Sequence, residues 1–133
     1  MSKKTKVVID TGVLVSALWS AEGSPASILK LIPDDIVPHI NNEILSEYKE
    51  VLNRPKFDFT EQKKTELLSK MEMHSEQMMP MESNDPMPDE SDRIFYDTAK
   101  QSGAILITGN TKHFPDEPFI VTPAVFINKM KDT

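Results

Sequence analysis

The chain has 133 residues, enough for one domain with a single core built around a sheet. With 38% hydrophobic and 27% charged residues it falls outside collagen-like, disordered and membrane compositions, and no stretch nears the roughly 20 apolar residues of a membrane span. The lack of cysteine excludes disulfides, thiolate catalysis and cysteine-bound zinc, and a net charge of −6 argues against a broad basic surface for DNA.

The basic N-terminal run Met1–Lys6 is followed by only Val7-Val8-Ile9 before Asp10, too little for a signal-peptide core, so a cytoplasmic protein is expected. Val7–Asp10 reads as a short apolar strand ending at an acid. Gly12 and Val13-Leu14-Val15 carry the chain away, and Ser16-Ala17-Leu18-Trp19 closes that segment. Pro25 suits the first turn of a helix through Ile28, Leu29 and Ile32, which Pro33 ends. Ile36–Ile40 is a second strand, and its Pro38 points to an edge or irregular position. Asn41 or Asn42 caps the next helix, with Ile44, Leu45, Tyr48, Val51 and Leu52 at helical spacing and Pro55 as its stop.

Thr60 opens a strongly polar helix whose apolar positions include Leu67, Leu68 and Met71. Gln77–Met81 reads as a strand. Glu82–Glu90, with two prolines and four acids, reads as a loop. Ser91 is expected to cap a helix through Phe95 and Ala99 that stops at Gly103. Ala104–Thr108 is the clearest buried strand, Phe119–Val121 the last, and Thr122-Pro123 opens a closing helix. Short apolar strands alternating with helices imply an α/β fold with a mostly parallel sheet. Function then belongs beyond the carboxyl ends of the strands, where Asp10 and Asn110 fall.

With three scattered histidines, a metal site has to be built mainly of oxygen ligands, which favours hard cations. Asp10 at a strand end is explained equally well as a turn cap. Glu47 sits mid-helix with Glu43, Ile44, Glu50 and Val51 at its helical spacings, so no basic residue offsets it. Glu43 and Glu50 have structural explanations, a helix N-terminus and Arg54 respectively. Asp92 shares a face with Phe95, Tyr96 and Ala99, which directs it inward, although an acid in a first turn is favourable on its own. Asp97 has Arg93 and Lys100 within helical reach. In Thr108-Gly109-Asn110 the glycine allows a tight turn and the asparagine tolerates left-handed geometry.

The stretches VVIDTGVLVSAL at 7–18, ILSEYKEVLNRPKF at 44–57, DRIFYDTAK at 92–100 and ILITGNTKHFP at 105–115 together resemble the PIN-domain family. Within it they resemble the VapC-like toxins of toxin–antitoxin pairs. The resemblance spans most of the chain and implies one PIN-like domain over 1–133, a three-layer α/β fold with a central, mostly parallel sheet flanked by helices. It implies hydrolysis of RNA phosphodiester bonds in an acidic pocket that binds Mg²⁺ or Mn²⁺, a cognate antitoxin and a homodimer. Carried over by motif, Asp10, Glu47 and Asp92 match the family's first three acids, as catalytic residues and metal ligands. Thr11, Ser16, Asp97, Thr108 and Asn110 lie beside them as candidate supporting or substrate-binding residues.

Two positions depart from the usual pattern. Asn110 stands where many PIN domains have a fourth Asp, which removes one charge from a second metal position. Gly12 replaces an Asn common in the family. The alternative is a catalytically weakened PIN domain that binds RNA or protein. A phosphoryl-transfer enzyme with Asp10 as nucleophile is a further rival, and the chain lacks the second Asp two residues on that many such enzymes carry.

Overall fold

The computed structural model describes residues 3–132; of the basic N-terminal run, Met1 and Ser2 lie outside the described residues. The strands are β1 (Thr5–Ile9), β2 (Ile36–Ile40), β3 (Glu76–Gln77), β4 (Ile105–Ile107) and β5 (Ile120–Val121). The helices are α1 (Thr11–Trp19), α2 (Ser24–Lys30), α3 (Asn42–Leu52), α4 (Glu61–His74), α5 (Arg93–Ser102) and α6 (Pro123–Lys131). The sheet order is β3-β2-β1-β4-β5 and every pairing is parallel. Parallel strands need both faces covered, and Val7, Val8, Ile9, Leu106 and Ile107 are fully buried under the flanking helices. Each such side chain contributes about 1.5–3 kcal/mol by leaving water. Among the described residues no helix is long and apolar enough to cross a membrane.

Most of the expected elements and stops are present. Asn41 rather than Asn42 caps α3, accepting from the Ile44 N–H at 3.0 Å. Thr60 and Thr122 cap α4 and α6. α5 ends on Gly103, whose φ of +73° is the left-handed conformation that favours glycine. β2 is not an edge strand, but β3 pairs with His39 and Ile40, so among the described residues the outer side of Pro38 has no strand partner.

Four expectations are corrected. Residues 11–19 form α1, a helix that the sequence pattern does not announce. Thr11, Val13, Leu14 and Val15 are all buried and Gly12 alone is exposed among residues 11–15, so this part of the helix reads as an apolar run with no amphipathic period. The strand expected over 77–81 shrinks to Glu76–Gln77, with one further bond from the Met78 N–H to the Ile40 carbonyl. Met81 is instead tied through both backbone groups to the Gln101 amide. Ser91 does not cap α5. Asp89 accepts from the Ser91 N–H and hydroxyl and caps a 3-10 turn over Glu90–Asp92 that leads into α5. The left-handed geometry expected near Gly109-Asn110 is absent, since Asn110 has φ −138° and its N–H is held by the Thr108 hydroxyl instead.

Candidate active site

The sheet reverses its strand order between β1 and β4, and a crevice opens past the carboxyl ends of such a pair. Ile9 and Ile107 are in register there, and the Asp10 N–H donates to the Ile107 carbonyl at 2.9 Å. Asp10 therefore leaves β1 at the same level as Thr108 leaves β4. A cavity of about 450 Å³ opens at this point, bordered by Asp10, Ser16, Asp92, Asn110 and His113 among others.

The turn-cap account of Asp10 is correct as far as it goes. Its Oδ1 accepts from the Thr11 N–H at 2.9 Å at the start of α1. Its Oδ2 accepts from the Thr108 hydroxyl at 2.7 Å, across 98 residues of sequence. A cap needs only the first of these bonds. Burial nonetheless pushes the Asp10 carboxyl above the usual carboxylate range, against the lowering effect of Thr108, Thr11 and His113.

Glu47 points from the middle of α3 toward the same place. The Thr11 hydroxyl donates to its Oε2 at 2.5 Å, so one threonine joins the first two acids, one through its backbone and the other through its side chain. That bond is the partner that spacing along α3 does not offer. Burial raises the Glu47 pKa, and the negative charges of Asp10 and Glu50 add to the rise. α3 itself is held to the sheet by Tyr48, which is fully buried and donates to the Ile9 carbonyl at 2.5 Å. Burial first, then Asp10 and Glu47, push that phenol well above its ordinary value, so it stays a neutral donor. Tyr48→Phe, which keeps the ring and removes the donor, is expected to lower stability by about 1–2 kcal/mol in chemical denaturation.

Asp92 sits where the 3-10 turn passes into α5, with Phe95, Tyr96 and Ala99 buried beneath it. Its carboxyl is raised to about 6, chiefly by burial and then by the charges of Asp10 and Asp89, with Glu47 contributing and His113 opposing. Burial raises all three acids, and the charge of Asp10 adds to the rise of both Glu47 and Asp92, which marks uncompensated negative charge. Glu47, held by Thr11, is not part of the cavity lining, and among the described residues no three Asp, Glu or His side chains stand close enough to enclose an ion as placed. The donors are all oxygens, which suits Mg²⁺ or Mn²⁺.

Ser16 and Asn110 border the cavity, and Thr11 and Thr108 support it from behind. Asp97 does not reach it. It is buried and accepts from the Ser83 N–H and hydroxyl, while Arg93 donates to the Ser83 carbonyl, so the expected Asp97–Arg93 contact runs through Ser83. Lys100 pairs with Asp85 instead. The residue missed at the sequence level is His113. It lies 3.8 Å from Asp92 and its Nε2 is 3.0 Å from the Asn110 amide, and when protonated it is a favourable charge beside Asp92. Its place three residues past Asn110 gave the only available signal.

A PIN domain family profile matches residues 6–112. The chain belongs to the PIN domain family. It is 35% identical over 111 residues to an uncharacterized protein of Methanocaldococcus jannaschii, covering 80% of this chain and 72% of that protein. Among solved structures it is similar to a chain of the VapBC2 complex of Rickettsia felis, bound to a DNA fragment from its promoter. There the TM-score is 0.54 at 17% identity, over 89% of this PIN domain and 97% of that chain. At that identity the likeness speaks for the fold, and the parallel sheet between helices is common to both.

Proposed function

We propose that this PIN domain is a metal-dependent endoribonuclease, the toxin of a toxin–antitoxin pair, with Asp10, Glu47 and Asp92 as catalytic residues and ligands of Mg²⁺ or Mn²⁺. The observation that carries the reading is the placing of Asp10 and Asp92 on one cavity at the switch point of the sheet, with Glu47 joined to Asp10 through Thr11 and all three carboxyls raised by burial. Catalysis of this kind needs no nucleophilic side chain. Held by these acids, Mg²⁺ or Mn²⁺ would supply charge compensation at the phosphodiester and activation of a water. Thr108 and the Thr11 N–H fix both oxygens of Asp10, which settles where that carboxylate presents its charge. To share a cation with the other two, Glu47 would have to release the Thr11 hydroxyl. Asp92, raised to about 6, is poised to hold or release a proton at neutral pH in the free protein.

The VapBC2 likeness supports a cognate antitoxin as partner. The homodimer and the cytoplasmic location stay with the same reading. The test is cleavage of RNA in the presence of Mg²⁺ or Mn²⁺, compared with Asp10→Asn and Asp92→Asn. Each variant is expected to lose at least about 10²-fold in rate while melting cooperatively. Full activity in both would sink the assignment. RNA binding without cleavage in the parent protein would favour the alternative of a PIN domain that serves as a binding module.

A further inference from the structure

The acidic cavity is joined by α1 to an aromatic surface at the other end of that helix. Gly12, Ser16 and Trp19 fall at i, i+4 and i+7 and so share one stripe of α1. All three are exposed, and Gly12 and Ser16 border the cavity of Asp10 and Asp92. The stripe thus offers a low, polar track that ends on an indole 64% open to solvent. Trp19 meets Phe57 edge-on at 5.3 Å and Phe59 at 6.1 Å, while Phe57 and Phe59 stack at 5.6 Å with an angle of 14°. The Lys56 ammonium lies 5.1 Å from the Phe57 ring centre, and Lys63 borders the groove beside Trp19. Of the acids nearby, Glu61 is paired with Lys64 at 2.7 Å and Glu66 is bonded by Gln62, while Asp58 between the two phenylalanines is exposed.

Three clustered aromatic rings, one of them mostly in water, gain by being covered. Their chemistry is that of a base-stacking platform, since every nucleobase has a π-face and a neighbouring ammonium suits the backbone phosphate. The spacing agrees. The seven steps from Gly12 to Trp19 span about 10 Å along the helix, or about three nucleotides at the ~3.4 Å rise of a stacked strand.

We propose that Trp19, backed by Phe57 and Phe59, stacks a base of a single-stranded RNA whose phosphodiester occupies the Asp10–Asp92 cavity. The proposal rests on the ribonuclease reading for the identity of the ligand, but base stacking is measurable without cleavage. A flat protein partner would use the same rings without preferring single strands, so the two occupants separate by experiment.

Trp19 is the single tryptophan of the chain, so its emission reports on the platform directly. In the Asp10→Asn variant, which leaves RNA uncut, a single-stranded oligouridylate of roughly ten residues is expected to quench that emission saturably, and its duplex with oligoadenylate far less. Labelled oligouridylate should bind Trp19→Ala about tenfold more weakly and Trp19→Phe within about threefold, because the phenyl ring still stacks. Emission indifferent to bound RNA, equal affinity in Trp19→Ala, or no RNA binding at all overturns the proposal. So does a Trp19→Ala variant that changes from dimer to monomer with RNA affinity intact, which assigns the face to self-association. Saturable quenching in a parent protein that cuts no RNA leaves the platform standing and overturns the ribonuclease reading alone.

Discussion

Replacing Asp92 with asparagine is expected to raise the melting temperature of the metal-free protein near about pH 7.5 while abolishing its stabilisation by Mg²⁺. Folding lifts the Asp92 carboxyl from 3.8 to about 6, so the folded chain binds that proton more tightly than the unfolded chain. Its favourable contribution is complete below about pH 4 and is lost as pH rises through about 6. At neutral pH the ionised group opposes folding, because it is half-buried and faces the charges of Asp10, Asp89 and Glu47. The full rise corresponds to about 3 kcal/mol, which solvent screening at a partly open side chain reduces to about 1–2 kcal/mol. Asparagine keeps the shape of the protonated acid and carries no charge, so the variant should melt several degrees higher in chelator. Its pH dependence between about 4 and 7 should flatten.

With Mg²⁺ in about hundredfold excess over its dissociation constant, the parent protein gains about 2.7 kcal/mol and the variant loses most of that gain, so their order reverses. A variant that melts below its parent in chelator, or that responds equally to Mg²⁺, would refute the charge-cluster account.

The same physics decides what was readable in the sequence. Strand ends and stops at Pro33, Pro55 and Gly103 were legible because proline and glycine act through local backbone geometry. α1 was not, since a helix buried around Val13, Leu14 and Val15 shows an apolar run rather than a period. Glu47 stood out because its helix gives it no cation, and the structure supplies the Thr11 hydroxyl that only the third dimension brings near. The joint between Asp10 and Thr108 spans the two strands at the switch point, so neither residue's neighbours in sequence announce it. Asp97 illustrates the opposite error. Its basic neighbours at helical spacing suggested a direct pair, while burial turned it onto the backbone and hydroxyl of Ser83 in another loop. His113 had no pattern to belong to until the turn after β4 folded it over Asp92.

Thr108→Val tests whether Asp10 is an active-site carboxylate held in place or merely a cap. Thr108 is fully buried, donates to Asp10 Oδ2 at 2.7 Å and accepts from the Asn110 N–H at 3.0 Å. Valine nearly matches its shape, so packing stays while both bonds vanish. A bond to a charged partner is worth about 1.5–3 kcal/mol, so the variant should lose about 2–3 kcal/mol near neutral pH. That bond also lowers the Asp10 pKa, so removing it raises the carboxyl further. The deficit should therefore be largest where Asp10 is ionised and should shrink on acidification, once both proteins carry a protonated Asp10. Affinity for Mg²⁺ and RNA cleavage should fall about 10- to 100-fold, as expected when a residue that orients a ligand is lost. Thr108→Ser keeps the hydroxyl and sheds a methyl group, at about 1 kcal/mol, and should retain the metal response. If valine and serine behave alike, or if the valine deficit is the same across pH, the hydroxyl does not orient Asp10. If Asp10 were only a cap, its Thr11 bond would suffice and the metal response would survive valine unchanged.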